Sequence, residues 1–257
     1  MLYPVLWMLS ASFKQAQDLF TDPSILIHNF TLNNYLHGWN ELSYPFSTYL
    51  LNTLIICACS VIGNIISCSM VAYAFARLRF KFKPLWFAIM LCSVMLPYHA
   101  IVVPQYILFK NLGWINTFLP LIVPKFLATD AFFVFLMVQF IRTIPPELDE
   151  AATIDGCGSI QMFWRVILPL MQPALITTAI FTFIWTWGDF FTQLIFLNDP
   201  KSFTISIALK SFVDNTSSSD FGALFAMSLL SLLPIIGFFL AFQRLITEGI
   251  NTSGLKG

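Results

Sequence analysis

The chain has 257 residues, of which 58% are hydrophobic and 10% charged, and its mean hydropathy is +0.78. Soluble globular proteins carry about 25% charged residues, so this composition excludes that class and predicts a membrane protein with several spans. The formal net charge is zero, which gives no overall basic or acidic field to attract nucleic acid or an acidic ligand.

The apolar run over residues 1–13 is too short to cross a membrane. At 1.5 Å per residue it reaches roughly 20 Å, whereas the hydrocarbon core is about 30 Å thick. It also has no basic segment before it and no small-residue cleavage site, as a signal peptide would have. We therefore expect an incomplete first span.

Residues 14 to about 45 are polar and rich in turn formers, which predicts an extracytoplasmic loop. His28 and His37 lie in this loop. Neither has a partner at ligand spacing, so both are interpreted as solvated loop residues.

The run over residues 49–76 is long enough for a complete span, and its small and polar residues are typical of helices that pack together in membranes. The next span, residues 85–109, contains Pro97 and Pro104 with His99 between them. Prolines inside a span leave carbonyls that need water or a neighbouring helix. We expect this span to kink beside a cavity and take His99 as a candidate for the translocation path.

A further span over residues 118–141 carries Lys125 and Asp130. Charges inside a membrane are costly and often functional, so Asp130 is a second candidate for the path. The alternative is structural: Lys125 extends to the outer interface, and Asp130 caps a helix break or bonds a neighbouring helix. The sequence leaves both open.

A polar segment over residues 145–169, here called the elbow, interrupts the apolar pattern. Pro145 ends the preceding helix, and Pro146 fits the first turn of a new one, where its missing N–H costs nothing. Acidic residues follow near the positive helix end, and Gly156 supplies a stop. A second short helix is predicted from Ser159 until Pro169.

The elbow resembles a known signature. Glu150-Ala151-Ala152, three residues, Gly156, nine residues, Val166, one residue and Leu168-Pro169 are similar to the cytoplasmic loop of ABC importer permeases that docks on their ATPases. The resemblance implies a coupling helix between spans four and five. The contacts it implies are Glu150, Ala151, Ala152, Asp155, Gly156, Leu168 and Pro169.

The fifth span, residues 173–197, contains Trp185, Trp187 and Asp189. Permeases of this family commonly have Trp-Asn-Asp here, and Gly188 departs from that pattern. Aromatic rings suit sugar faces, which makes Trp185 and Trp187 candidate sugar contacts. Trp185 and Asp189 are taken as candidates for the translocation path. An aromatic belt at the outer interface is the alternative, above all for Trp187.

A last span over residues 221–242 precedes a polar tail, residues 243–257. Asp155 before the glycine, Phe163 and the stretch 242–257 resemble the carbohydrate-importing branch, in particular the type represented by the smaller permease subunit of the maltose transporter. In that branch the tail reaches the ATPase interface. The implied contacts are Gly254, Leu255, Lys256 and Gly257, and truncation after Ile250 tests them.

The basic residues give the orientation. Eight of the 13 Lys and Arg lie in the loops and tail assigned to the inside: Arg77, Arg79, Lys81, Lys83, Arg142, Arg165, Arg244 and Lys256. This positive-inside bias places the elbow and the C-terminus in the cytoplasm. The resulting prediction is an all-α polytopic transmembrane bundle of six spans, the first truncated, forming one domain over residues 1–257.

The sequence carries no sign of catalysis. No phosphate loop, nucleophile elbow, H-E-x-x-H or dinucleotide fingerprint is present. The five cysteines have no metal-ligand spacing and are interpreted as packing residues, so no metal is predicted. We therefore expect a transport subunit that binds no cofactor itself.

The resemblance implies the rest of the assembly. It predicts a bacterial plasma-membrane importer with a second permease subunit, two ATPase subunits that hold ATP and Mg²⁺, and an extracytoplasmic binding protein that delivers a sugar or oligosaccharide. A polyol, glycerol phosphate or peptide remains an alternative substrate. A passive channel subunit or a membrane-embedded enzyme is the alternative from another class.

Overall fold

A computed structural model describes residues 3–15, 18–21, 23–214 and 220–254, with side chains except those of residues 20, 98, 214 and 244–254. The regular structure within these ranges is helical, without a strand, which confirms the all-α prediction. In chain order the first helices are α1 (Tyr3–Ser12), α2 (Asp18–Thr21), α3 (Asn33–Asn40), α4 (Phe46–Arg77), α5 (Lys83–Val94), α6 (Tyr98–Asn111), α7 (Leu119–Phe126) and α8 (Ala131–Thr143). They are followed by α9 (Glu147–Ile154), α10 (Ser159–Met162), a π-helical turn (Phe163–Ile167), α11 (Leu168–Leu170), α12 (Gln172–Gly188), α13 (Phe191–Phe196), a 3₁₀ turn (Pro200–Ser202), α14 (Ile205–Asp214) and α15 (Phe221–Gly254).

Several of these helices are long and apolar enough to cross a membrane. Among the described residues, three segments qualify alone: α4, Leu119–Thr143 and Phe221–Gln243. Two bent helix pairs bring the number to five if each pair is one span. These segments overlap the five complete spans expected from the sequence, and the count of six stays a prediction.

Pro97 produces the sharper of the two bends. It has an extended backbone, with φ −65° and ψ 129°, and it separates α5 from α6. A proline cannot donate to the preceding turn, and it disfavours helical geometry in the residue before it. The two helices therefore meet at 102°, which confirms a kink at this proline.

The span expected over residues 118–141 is also interrupted. Ala128 has a positive φ of 53° between α7 and α8, and the Thr129 hydroxyl donates to the carbonyl of Pro124 at 2.9 Å. Pro124, inside α7, has no N–H to donate to the preceding turn. This segment thus consists of two helices, with Asp130 immediately before the second.

The described chain forms two compact units. The first comprises residues up to 56, 115–118 and 187–238. Within it, α3 and the start of α15 approach closely, because a Cβ at Gly38 would lie 3.0 Å from the Cβ of Ala223. The Asn34 amide donates to the carbonyls of Ser12 and Lys14, both at 2.8 Å, and so fixes α3 against the end of α1.

The second unit comprises residues 57–114, 119–186 and those from 239 onward. Its core is built by the C-terminal part of α4, by α8, and by the elbow with the start of α12. Buried members of this core include Tyr73, Phe133, Met137, Ile141, Phe163, Ile167 and Met171. The elbow is therefore part of the core of this unit.

Candidate functional site

The elbow begins and ends as local chemistry requires. The carbonyl of Pro146 accepts from the N–H of Asp149 at 3.0 Å and from that of Glu150 at 3.2 Å, which starts α9. Gly156 has φ +80°, a left-handed conformation that glycine adopts without strain. The N–H of Cys157 then donates to the carbonyl of Ala152 at 2.9 Å, which closes the helix end.

One side of the elbow is clamped by Arg77, the last residue of α4. Its Nε lies 2.8 Å from Oδ2 of Asp149, and its Nη2 donates to the carbonyl of Ile144 at 2.6 Å. Both side chains of the ion pair are less than a fifth exposed, so water screens the pair less than it would at the surface. The first turn of α9 is thereby tied to α4.

Aromatic packing holds the second half of the elbow. The Tyr73 hydroxyl donates to the carbonyl of Ser159 at 3.1 Å, and the Tyr73 and Phe163 rings lie 5.4 Å apart. Phe163 and Ile167 face inward from the π-helical turn and are buried. This turn precedes Pro169, and in it the N–H of Leu168 donates to the carbonyl of Phe163.

The other side of the elbow faces outward. Of the residues assigned to docking by resemblance, Glu150, Ala151, Asp155, Gly156 and Pro169 are exposed, Leu168 is half-buried against the core, and Ala152 is buried. The structure thus splits the predicted alanine pair, with Ala152 packing inward and Ala151 outward.

Large apolar side chains accompany these exposed residues. Ile154 is 87% exposed, Ile160 is 77% exposed and Trp164 is 52% exposed. Exposed apolar side chains beside polar ones are typical of interaction surfaces. The sequence analysis did not identify Ile154 and Trp164 as candidate contacts. Helical spacing was the available signal, because neither residue shares the buried face that carries Ala152, Phe163 and Ile167.

A polar cluster lies elsewhere in the same unit. Oδ2 of Asp130 accepts from Nζ of Lys125 at 2.8 Å and from Nδ2 of Asn64 at 2.7 Å. Nδ2 of Asn64 also donates to the Thr182 hydroxyl at 3.0 Å, and the Ser67 hydroxyl donates to the carbonyl of Lys125 at 2.6 Å. The cluster therefore connects α4, the break between α7 and α8, and α12.

The cluster gives partners to both charged residues of the span expected over residues 118–141. Lys125 and Asp130 pair with each other, as intramembrane charges commonly do, and their side chains are 28% and 27% exposed. Asn64 is fully buried. Asp130 bonds a neighbouring helix, and its side chain makes no capping bond to α8.

The other candidate path residues occupy different settings. Trp185 lies one turn beyond Thr182 on α12, is 51% exposed and packs against Phe133 with ring centres 5.3 Å apart. His99 is exposed in the first turn of α6. Asp189 belongs to the first unit, where its Oδ1 accepts from the N–H of Thr192 at 3.1 Å.

The predicted tail contacts cannot be placed in the same way. Gly254 is the last residue of α15, whereas Leu255, Lys256 and Gly257 lie outside the described residues. The role of the tail stays a prediction.

Comparisons with known proteins match this chain, over most or all of its length, to membrane components of transport systems. A family model described as the inner membrane component of binding-protein-dependent transport systems matches residues 63–251. The chain is 30% identical over 256 residues to the trehalose/maltose transport system permease protein MalG of Thermococcus litoralis, covering 100% of this chain and 92% of that protein. It is 30% identical over 259 residues to the arabinooligosaccharides transport system permease protein AraQ of Halalkalibacterium halodurans, covering 100% and 91%.

A solved structure shares the fold. A chain of a bacterial ABC transporter involved in the import of the acidic polysaccharide alginate superposes with a TM-score of 0.84 at 21% sequence identity. The superposition covers 95% of this chain and 90% of that one.

Proposed function

This chain belongs to the family of inner membrane components of binding-protein-dependent transport systems, and we propose that it forms half of the translocation path of a carbohydrate importer. The members it resembles are transport components rather than enzymes. In this proposal ATP is hydrolysed with Mg²⁺ on two separate subunits, and the elbow receives their motion.

The two-sided construction of the elbow is the observation that carries the coupling proposal. A docking element must be rigidly joined to the helices it moves and must also offer a free surface. Arg77 and Tyr73 supply the rigid connection through Asp149 and Ser159. The exposed Glu150 and Ile154 offer the free surface.

Carbohydrate as the substrate class is supported by two independent lines. The relatives MalG and AraQ are described as permeases for trehalose/maltose and for arabinooligosaccharides. The exposed ring of Trp185 lies one helical turn from the polar cluster, and aromatic faces next to hydrogen-bonding groups suit sugars. A non-sugar solute such as a polyol, glycerol phosphate or peptide is the competing outcome of the transport test.

The remaining parts of the assembly follow from this role. We place the elbow and the C-terminus in the cytoplasm, where the ATPases bind. A second permease subunit completes the path, and an extracytoplasmic binding protein delivers the solute. Deletion of residues 251–257 tests the tail, because unchanged transport would assign it no role at the ATPase interface.

Co-purification with the ATPase subunits tests the coupling proposal. Glu150→Lys and Ile154→Ser should leave the chain in the membrane but reduce the recovered ATPase subunits and the uptake of labelled sugar. Leu26→Ser changes an apolar residue that is 69% exposed in a loop far from the elbow in sequence, and it serves as the matched control. Normal co-purification and uptake in both elbow variants would refute docking at this surface.

A further inference from the structure

Three side chains of types that commonly bind metal ions lie close together in the first unit. His37 lies near the end of α3, Glu41 follows it by one helical turn, and Asp220 directly precedes α15. Nδ1 of His37 is 3.4 Å from Oε2 of Glu41 and 3.5 Å from Oδ2 of Asp220. One ligand atom from each residue lies within 4.8 Å of both others.

These separations fit ligands around an ion better than they fit hydrogen bonds. Charge-assisted N–H···O bonds are about 2.7–2.9 Å long, and both distances here are longer. Tetrahedral ligands that are each about 2.1 Å from a zinc ion lie about 3.4 Å from one another. Oε2 of Glu41 is also buried, with no hydrogen-bond partner among the described residues.

The backbone holds the three side chains in place. A Cβ at Gly38 of α3 would lie 3.0 Å from the Cβ of Ala223, and a Cβ at Gly222 of α15 would lie 2.7 Å from Oδ1 of Asn34. The two helices therefore approach each other closely at two points. Oδ1 of Asp220 accepts from the N–H of Ala223 at 2.9 Å. This bond orients the carboxylate and leaves Oδ2 directed at His37.

The charges also favour a cation. Two carboxylates that share a small volume repel each other, and a bound dication would remove that repulsion. The His37 side chain is 55% exposed, which gives an ion access from solvent.

We propose that His37, Glu41 and Asp220 bind a divalent transition-metal ion, with Zn²⁺ as the best match, which fastens the end of α3 to the start of α15. An imidazole nitrogen and two carboxylate oxygens are ordinary zinc ligands, and three protein ligands leave a fourth position for water. The site is independent of the elbow and of the transported solute.

Calorimetric titration of the full chain with ZnCl₂ tests the proposal. The protein is purified in detergent, stripped with a chelator and treated with N-ethylmaleimide so that its cysteines cannot bind metal. We expect one saturable zinc ion per chain. His37→Gln, Glu41→Gln and Asp220→Asn should each weaken binding by about tenfold or more, whereas His28→Gln, in the preceding loop, should not.

Thermal unfolding gives a second readout that separates a metal site from a structural contact. Zinc should raise the Tm of the wild-type chain and of H28Q but not that of H37Q. In chelator, E41Q should unfold at a higher temperature than the wild type, because the repulsion from Asp220 is removed. Zinc binding or zinc stabilisation that is equal in wild type and H37Q would overturn the proposal.

Discussion

Nε of Arg77 and Oδ2 of Asp149 are 2.8 Å apart, and this contact joins the end of α4 to the first turn of α9. The same guanidinium donates to the carbonyl of Ile144, so one side chain holds both ends of the connection between α8 and α9. A displacement of α9 by a docked protein would therefore act directly on a helix long enough to cross the membrane.

Asp149→Asn should separate the transmission of motion from the elbow to α4 from the binding of the ATPase subunits to the elbow. The substitution keeps the size of the side chain but removes the charge, so the largely buried guanidinium of Arg77 loses its ion-pair partner, and a buried polar group left without a partner costs about 1–3 kcal/mol. Because Asp149 faces inward, we expect ATPase subunits to co-purify normally while the Tm and the uptake of sugar fall. Glu147→Gln changes an exposed carboxylate in the same turn and is the control. Loss of co-purification in D149N alone would contradict this division of roles.

Gly156→Ala should destabilise the chain through backbone strain alone. A Cβ at this position meets nothing within 4 Å, but φ is +80°, and the cost of a side chain there is about 1 kcal/mol. Gly158 is equally open and has an ordinary φ of −72°. A lower Tm for G156A than for G158A is the expected result, and equal values would refute the strain argument.

The Lys125–Asp130 pair should behave as a coupled unit. Asp130→Asn leaves Lys125 without its carboxylate, so we expect lower stability and uptake with normal membrane insertion. Lys125→Met should have a similar effect on stability, and the double variant should recover part of it, since neighbouring charges couple by about 0.5–3 kcal/mol. The Tm values of the wild type, the two single variants and the double variant form a double-mutant cycle. Strictly additive losses would show that the pair does not interact.

The raised pKa of Glu41 predicts a pH dependence of stability. A carboxyl whose folded-state pKa is raised stabilises the fold fully below its ordinary value of 4.5, and this contribution is lost as the pH rises through the raised value. In chelator, the Tm of the wild type relative to that of E41Q should therefore fall as the pH increases above 4.5. His37 and Asp220 lie beside residue 41, so the difference reports the Glu41 carboxyl together with its interactions with these two side chains. A Tm difference between the wild type and E41Q that does not change with pH would contradict this prediction.

Local chemistry made much of the fold predictable. The lengths of the apolar runs indicated the segments that are long and apolar enough to cross a membrane, and Pro97 marked a bend of 102°. Pro146 and Gly156 bounded a helix that the structure gives as Glu147–Ile154. These features depend on residues within one or two turns of each other, which a sequence displays directly.

Contacts between distant segments were not predictable in the same way. Helical spacing groups Leu148, Ala151, Ala152 and Asp155 but does not say which of them faces the core. The partners of Arg77 and Asn64 come from other helices. His37 shows the limit best, because the interpretation as a solvated residue without a partner overlooked Glu41 one turn away, and only the fold brings Asp220 beside it.

The π-helical turn over Phe163–Ile167 has a consequence for how the elbow is aimed. It accommodates one residue more than an α-helical turn, and each residue of an α-helix advances by about 100°. Deletion of one residue within this turn would let it close as an ordinary α-helical turn and would leave Ser159–Met162 in the same direction relative to α12. The direction in which Ile160 points is thus insensitive to a deletion inside the π-helical turn, whereas deletion of a residue from Leu168–Leu170 would redirect it by about 100°.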